Sequence, residues 1–473
     1  MPEPGYSSLA DRDAVLAALS LLIGEAWASF EHPRPVEPAI HDDVRERLGM
    51  PLPELPADPA QVLADAARIL DESNSPARPL YLGYIGSTGL EVGVLAEALA
   101  ATYDVNLAVT ARAADLLEAQ AVGWVSDFVG FPAAEGAFTS GGMISNLTAV
   151  IAAREVALPG CRTDGFAGRR AAVYCSEEAH HSVVRAAEAA GFGSAFVRRL
   201  PIDERRRLVP EALDRAVAAD VEAGIVPACV IANGGTTLTG AVDDLGAVAG
   251  VCERHGVWMH VDGAYGLPAA ATERAAPLFA GVERADSVTL DAHKWLGLQK
   301  SCSLVLLRRA GALEEAFGHE EGYMRREEVP NAVERTLEYS RPLRSLKLWV
   351  AFRAYGAEAF RGWIEGTLER AEELVALIGD APELELLCEP TLSTVCFRHV
   401  PASGADDLDA HNLALGRAVQ ADGRVYLASA VIDGAACLRV CFVNFRTRPE
   451  DVELVVRVVR ECGEALALSL IHI

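Results

Sequence analysis

The chain has 473 residues, 51% of them hydrophobic and 23% charged, a composition that supports a large buried core and excludes disorder as the dominant state. Its formal net charge of −25 at pH 7 disfavours nucleic-acid binding and docking on anionic membranes, because both require a basic surface. Its ten cysteines form no CxxC pair and no cysteine–histidine cluster with zinc spacing, which predicts no metal site and favours a reducing, cytoplasmic location.

The first 75 residues are predicted to be a helical segment with little core of its own. The start of the chain lacks the basic stretch of a signal peptide, and the early apolar run, residues 15–24, is too short to span a bilayer. Residues 15–30 are apolar on nearly all sides, which indicates a helix covered by another domain or by a dimer partner. The proline-rich runs HPRPVEP and MPLPELPADP are predicted to be extended linkers.

Residues 76–350 are predicted to form a large α/β domain, because short β-branched runs alternate with Ala-rich helical stretches. The strand-like runs include AAVYCS, ACVIAN, VWMHVD, ADSVTLD and CSLVLLRR. Such alternation is typical of a mostly parallel sheet covered by helices on both faces, with ligands at the carboxyl ends of the strands. Residues 351–473 are predicted to form a smaller α+β domain that closes on a helix.

The strongest chemical signal is the motif DAHKW, residues 291–295, at the end of a predicted strand. Lys294 stands between an apolar strand and an aromatic residue, where burial would remove part of its hydration. A desolvated lysine is suited to forming a Schiff base with a carbonyl compound. A surface lysine at a strand end is the ordinary alternative explanation for this motif.

Four more polar motifs follow predicted strands. HVDGAY places Asp262 where it could pair with a protonated pyridine nitrogen, although a helix N-cap is an ordinary role for such an aspartate. FTSGGMISN, residues 138–146, leads into a helix whose free backbone N–H groups could hold a phosphate. EAHHS contains His180, which could stack on a flat ring or simply cap a helix, and residues 235–237 (GTT) offer hydroxyl groups.

The order of these motifs resembles that of fold-type I enzymes that depend on pyridoxal 5′-phosphate (PLP). More narrowly, the chain resembles the group II amino-acid decarboxylase family, which includes aromatic-L-amino-acid and glutamate decarboxylases. FTSGGMISN is similar to the glutamate branch, whereas HVDGAY and HKWL are similar to the aromatic branch. The resemblance implies an α/β fold with a mostly parallel seven-stranded sheet, and PLP-dependent decarboxylation of an L-amino acid to an amine and CO2.

The resemblance also implies roles for residues around the cofactor ring. Lys294 would bind PLP covalently, and Asp262 would pair with the pyridine nitrogen. His180 would stack on one face of the ring, and Ala264 would pack against the other. Thr237 would lie near the ring hydroxyl.

A second group of residues is implied to surround the phosphate. Gly142 and Met143 would contribute backbone contacts, with Ser145 and Asn146 beside them. His293 would lie beside the phosphate and the catalytic loop. Much of the family has Asn where this chain has Asp291, and a carboxylate near a phosphate is unfavourable unless it is turned away or hydrogen-bonded.

Residues 318–342 are highly charged and without a clear period, which indicates a mobile loop. Tyr323 within this loop resembles the family's loop tyrosine, which protonates the substrate Cα. A surface aromatic is the ordinary alternative. His181, next to the predicted stacking histidine, is interpreted as structural.

The substrate pocket is the least specific part of the prediction. The resemblance places Tyr84, Ile85 and Ser87 along it, and Tyr84 favours a flat or apolar side chain. Arg439 resembles an arginine of the glutamate branch that touches a carboxylate, or it forms a buried structural ion pair. An aromatic or other apolar L-amino acid is the preferred substrate, with acidic and diamino acids left open.

Two other functions remain open from the sequence. A PLP-dependent aminotransferase or carbon–carbon lyase would keep Lys294 and Asp262 but would not need Tyr323. A non-enzymatic descendant is expected to have lost the lysine or the aspartate, and both are present. The resemblance further implies a homodimer with active sites at its interface.

Overall fold

The computed structural model describes residues 9, 11–31, 35, 39–86, 88–108, 111–319 and 332–470. The helices are α1 (Arg12–Glu31), α2 (Asp42–Leu48), α3 (Pro59–Asp71), α4 (Glu91–Tyr103), α5 (Ala113–Val129), α6 (Gly142–Ala157), α7 (Cys161–Asp164), α8 (Ser182–Ala189), α9 (Pro210–Glu222), α10 (Leu245–His255), α11 (Ala312–Phe317), α12 (Ser345–Gly379), α13 (Leu408–Asp422) and α14 (Pro449–Leu470). The strands are β1 (Glu135–Thr139), β2 (Arg170–Ser176), β3 (Val197–Leu200), β4 (Ile225–Asn233), β5 (Trp258–Asp262), β6 (Ser287–Asp291), β7 (Ser303–Leu307), β8 (Leu384–Leu386), β9 (Thr394–His399), β10 (Ala428–Ile432) and β11 (Ala435–Cys441).

The large sheet has seven strands in the order β1-β7-β6-β5-β4-β2-β3. Strand β7 is antiparallel to both of its neighbours, and the other neighbouring pairs are parallel, so the predicted mostly parallel seven-stranded sheet is confirmed. Alternate residues of β4 enter different cores: Val230 and Ala232 pack in one, Cys229 and Ile231 in the other. Both faces of the sheet are therefore covered, and the free polar groups collect at the carboxyl ends of the strands.

A smaller domain contains an antiparallel four-stranded sheet in the order β10-β11-β9-β8. Its core includes Leu82, whose backbone N–H donates to the carbonyl of Tyr426, so residues near 82 pack on this domain. The predicted division at 350/351 falls inside α12, whose helical geometry is interrupted at Gly356 (φ 76°). The domain boundaries stay a prediction.

The N-terminal segment consists of α1, α2 and α3. Helix α1 contacts α3, but none of its residues is buried, and Leu16 and Leu21 are 55% and 70% exposed. Within the described part of the chain, α1 is the one helix long and apolar enough to cross a membrane by length and composition alone. Helix α1, with 20 residues, is longer than the apolar run 15–24, which is too short to span a bilayer by itself. That the chain binds no membrane stays a prediction.

Candidate active site

A cavity of about 260 Å³ lies where the carboxyl ends of β4, β5 and β6 meet the start of α6; we refer to it as the site cavity. Its walls include nine residues that the sequence motifs singled out. These are Gly142, Met143, Asn146, His180, Thr237, Asp262, Ala264, Asp291 and Lys294. Residues from five separate motifs thus converge because parallel strands end at the same edge of the sheet.

Lys294 faces the site cavity just beyond β6. Its Nζ lies 3.1 Å from Oδ2 of Asp291, and its side chain is 23% exposed. The chain contains three lysines in all. Lys300 is exposed, and Lys347 is buried in an ion pair with Glu97. Lys294 is therefore the lysine that faces the cavity.

Asp262, the last residue of β5, is held by two hydrogen bonds. Asn146 donates from Nδ2 to Oδ2 of Asp262 at 2.8 Å, and the backbone N–H of Ala264 donates to Oδ1 at 3.2 Å. These two donors fix the orientation of the carboxylate in the cavity. Such a group suits a protonated ring nitrogen.

A directional chain of buried hydrogen bonds ends on Asp262. Asn146 uses its amide N–H on Asp262, so its Oδ1 accepts from Nε2 of His260 at 3.0 Å. Nδ1 of His260 must then accept from the hydroxyl of Ser287 at 2.8 Å, and Ser287 accepts from the indole N–H of Trp258 at 2.9 Å. Burial lowers the pKa of His260 to about 4, which keeps the ring neutral and fixes its tautomer. We call this chain, from Trp258 through Ser287 and His260 to Asn146, the Asp262 relay.

His180 lies on the cavity wall between β2 and α8. Its Nδ1 is 2.8 Å from the hydroxyl of Ser182, a contact that orients the ring. Burial lowers the pKa of His180, although Asp262 acts in the opposite direction. The neighbouring His181 is exposed at the N-cap of α8 and makes no capping hydrogen bond. Thr237 is exposed at the rim of the cavity.

The start of α6 forms a small cradle with Asp291. A Cβ atom at Gly142 would lie 2.9 Å and 3.1 Å from the two carboxylate oxygens of Asp291, and 3.1 Å from the Cβ of Ala264. Asp291 is 2% exposed, and its Oδ1 has no hydrogen-bond partner among the described residues. The absent side chain of Gly142 thus leaves room between the start of α6 and this carboxylate.

Of three residues predicted to surround the phosphate, Ser145, Asn146 and His293, only Asn146 lines the site cavity. The hydroxyl of Ser145 is 2.7 Å from that of Thr139, and Ser145 does not line the cavity. Asn146 lines it, but both of its amide donors are used, on Asp262 and Ser182. The ring of His293 lies behind the cavity, with Nδ1 3.1 Å from the carbonyl of Cys302 and Nε2 3.8 Å from Oδ2 of Asp291.

The described residues among the predicted substrate residues, Tyr84, Ile85 and Arg439, do not line the site cavity. Tyr84 is 54% exposed beside Tyr81 and Tyr426. Arg439 is 5% exposed on β11 and donates from Nη1 to the carbonyl of Gly83 at 3.0 Å, while its Nε and Nη2 have no partner. No carboxylate pairs with it in the described residues, so the expected structural ion pair is absent there. Ser87 and Tyr323 lie outside the described residues.

Sequence reasoning missed several residues of the site. Asn233 and Tyr265 line the cavity, and His260 and Ser287 hold Asp262 from behind through Asn146. The motif HVD contained one usable signal: His260 lies two residues before Asp262, so both side chains lie on the same face of β5. No signal in the sequence points to Ser287.

The comparisons with known proteins agree with this geometry. The model of the pyridoxal-dependent decarboxylase conserved domain matches residues 43–400. The chain belongs to the pyridoxal-dependent decarboxylase family. Aromatic-L-amino-acid decarboxylase of Bacillus atrophaeus is 32% identical over 448 residues, covering 92% of each chain. Cysteine sulfinic acid decarboxylase of Rattus norvegicus is 34% identical over 295 residues, covering 61% of this chain and 60% of the relative.

Solved structures of decarboxylases are also similar to this chain. A structure of Oryza sativa TDC with PLP and tryptamine has a TM-score of 0.91 and 25% identity, covering 98% of this chain and all of that one. Mouse CSAD has a TM-score of 0.87 and 26% identity, covering 95% and 98% of the two chains. The chain is a PLP-dependent amino-acid decarboxylase, as predicted.

The residues of the site cavity fit PLP. The cradle at Gly142 has room for a group that a Cβ would exclude, and it lies at the start of a helix, where anions are stabilised. Asp262 offers a fixed carboxylate, and Lys294 offers an amine in the same cavity. A phosphate, a pyridine nitrogen and an aldehyde thus each have a matching group.

Proposed function

We propose that Lys294 binds PLP covalently and that Asp262 holds its pyridine nitrogen in the protonated form. His180 would cover one face of the ring and Ala264 the other. The support for this proposal is that all four residues line one cavity while Asp262 is fixed by two hydrogen bonds. When bound, PLP supplies an electron sink for the pair released as CO2 leaves the amino acid.

The residues of the chain then have separable tasks. Asp262 keeps its negative charge next to the ring nitrogen, since the Asp262 relay donates to it and excludes water from its far side. Gly142 and Met143, at the start of α6, would receive the phosphate. Thr237 at the rim would contact the ring hydroxyl, and His293 would support the phosphate side from behind.

Cα must receive a proton after CO2 leaves. We propose Tyr323 as its donor, on the resemblance of the loop sequence alone, because Tyr323 lies outside the described residues. A Tyr323→Phe variant is expected to form CO2 and amine much more slowly than the unaltered protein, because the next turnover must wait until Cα has been protonated. If that variant forms amine at the rate of the unaltered protein, another group donates the proton.

We propose an aromatic L-amino acid as the substrate. The support is the 32% identity to an aromatic-L-amino-acid decarboxylase across nearly the whole of both chains, together with the likeness to a structure that contains tryptamine. Tyr84, in the segment predicted to meet the substrate, is exposed and forms an aromatic cluster with the half-buried Tyr81 and Tyr426, with ring centroids 4.6 to 6.4 Å apart.

A second candidate substrate, an acidic amino acid, is favoured by Arg439. Its Nε and Nη2 are buried without partners, and a buried guanidinium gains most from an acid group. Cys441, two residues on and on the same face of β11, contacts Thr394, which in turn contacts Tyr265 of the cavity wall. The contacts of Cys441 thus connect the strand of Arg439 to the cavity wall, although Arg439 itself does not line the cavity.

One experiment separates these substrates. The purified protein is incubated with PLP and L-tryptophan, L-tyrosine, L-glutamate, L-aspartate or cysteine sulfinate, and CO2 and amine are both quantified. Tryptamine or tyramine in equal amounts with CO2 supports the aromatic proposal. Turnover of acidic substrates alone, lost in Arg439→Met, supports the second. Keto-acid formation without CO2 would contradict both.

We also propose that the protein is a cytoplasmic homodimer in which α1 packs on the partner. The support is that α1 is apolar on nearly all sides yet buries none of its residues within one chain. A Leu16→Glu, Leu21→Glu double variant is expected to shift light-scattering mass from dimer to monomer. Leu52→Glu, at an exposed position of the linker before α3, is the matched control. A monomeric, active unaltered protein would contradict the proposal.

A further inference from the structure

Asp291 has no role in the function proposed above, although it lies closest to Lys294. It is the last residue of β6, it is 2% exposed, and both of its oxygens face the position where a Cβ of Gly142 would be. Its Oδ2 is 3.1 Å from Nζ of Lys294. Its Oδ1 is buried and unpartnered and lies against the start of α6, a helix of 16 residues.

In the part of the chain that the structure describes, Lys294 is the one cation close to the carboxylate of Asp291. Burial lowers the pKa of both His293 and His180, so these rings are neutral at neutral pH and cannot replace that cation. Lys300 is exposed to solvent. On the other side, from β5, the carboxylate of Asp262 adds a second negative charge to the same cavity wall. The charge balance of Asp291 therefore depends on Lys294.

Binding of PLP would remove the positive charge of Lys294 that balances the carboxylate of Asp291. This step rests on the proposed function, in which Lys294 binds PLP. Lys294 would direct its nitrogen to the cofactor, and a phosphate with a charge near −2 would enter the cradle between Gly142 and Asp291. Two anions would then face each other at short range in a buried space. A carboxylate can avoid that repulsion by taking up a proton, and it then becomes a hydrogen-bond donor.

We propose that Asp291 is protonated in the PLP-bound protein and donates a hydrogen bond from Oδ1 to the phosphate. The proton is taken up from solvent when PLP binds, and it leaves when PLP dissociates. In the free protein, Oδ1 of Asp291 can only accept hydrogen bonds. In the PLP-bound protein, the protonated Oδ1 donates one. PLP affinity is thereby coupled to pH through a residue that takes no part in holding the ring.

The test is the pH dependence of cofactor affinity rather than of activity. Dissociation constants are measured by absorbance titration between pH 7.5 and 9, where the phosphate of free PLP is already a dianion. PLP is compared with pyridoxal, which has the ring and aldehyde but no phosphate. The slope of log Kd against pH counts the protons taken up on binding.

For the unaltered protein, the PLP slope is expected to exceed the pyridoxal slope by about one, a tenfold greater loss of affinity per pH unit. In Asp291→Asn, whose amide donates without taking up a proton, the two slopes should coincide. Asp214→Asn removes the same charge from α9, beside His255 and outside the cavity lining, and should keep the difference.

Equal PLP and pyridoxal slopes in the unaltered protein would overturn the proposal, even if Asp291→Asn fails to fold. The same slope difference in Asp291→Asn as in the unaltered protein would also overturn it and would point to His293 as the proton acceptor. Absence of PLP binding at any pH would instead contradict the proposed cofactor site.

Discussion

Asp262 and Asp291 are the last residues of two adjacent parallel strands, yet their surroundings differ. Asp262 accepts hydrogen bonds from Asn146 and from the backbone of Ala264. Asp291 is buried more deeply, but it has one lysine beside one oxygen and no partner for the other. Position at a strand end thus brings both carboxylates to the site, but their hydrogen-bond donors differ, and the proposed protonation of Asp291 rests on that difference.

The largest expected effect comes from removing the amine beside Asp291. Lys294→Ala should lower the rate of CO2 release at least about a thousandfold, since loss of a covalent catalyst costs up to ~10⁶ in other enzymes. Lys300→Ala, at an exposed lysine six residues on, is the control and should keep its activity. Comparable losses in both variants would break the distinction between the two lysines.

The next effect tests the fixed carboxylate. Asp262→Asn removes the negative charge but keeps the shape, and kcat should fall about 100- to 1000-fold, the usual cost of losing one preorganised charge contact. The absorbance spectrum of bound PLP should change at the same time, because the ring nitrogen loses its proton. Asp214→Asn is the charge-matched control. An unchanged spectrum and kcat in Asp262→Asn would contradict the role given to Asp262.

Lowering the pH should reduce the free energy of unfolding, because His260 of the Asp262 relay is buried in its neutral form. The pKa of His260 is about 4 in the folded chain against an ordinary value of 6.5, so the unfolded chain binds the proton first as pH falls. The stability contribution is complete above pH 6.5 and is lost between about pH 6.5 and 4, a change of about 3 kcal/mol. Urea unfolding of the unaltered protein and His260→Gln across this range measures it. Parallel curves for the two proteins would contradict the buried neutral ring.

The smallest effect concerns the far end of the Asp262 relay. Ser287→Ala leaves Nδ1 of His260 and the indole N–H of Trp258 without their partner, which should cost about 1–3 kcal/mol of stability. The absorbance spectrum of bound PLP should change in the same direction as in Asp262→Asn, but by a smaller amount. Ser29→Ala, in the exposed α1, is the control. A loss of stability without any spectral change would show that Ser287 stabilises the fold but does not influence Asp262.

Much of the fold was predictable because strand runs such as ACVIA and LVLL are continuous and apolar, as strands buried on both faces require. The site residues Lys294, Asp262 and Gly142 were predictable because Asp262 ends a strand, Lys294 closely follows one and Gly142 begins a helix, all at the same edge of the sheet. The contact of His260 with Asn146 spans 114 residues and depends on packing of α6 on β5, which no local pattern encodes.

The substrate residues were harder to place for a different reason. Tyr84 and Arg439 come from opposite ends of the chain and meet through the backbone of Gly83, outside the walls of the site cavity. Their relation to the cavity depends on how the small domain packs against the large one. Motif spacing carries no information about that packing.

The central claim is that Lys294 is the residue that binds PLP. The PLP-loaded protein is reduced with borohydride, which makes the bond between lysine and cofactor permanent, and the labelled peptide is identified by mass spectrometry. With three lysines in the chain, the assignment is unambiguous. The account predicts the label on Lys294 alone; a label on Lys300 or Lys347, or no label on a protein that decarboxylates, would contradict it.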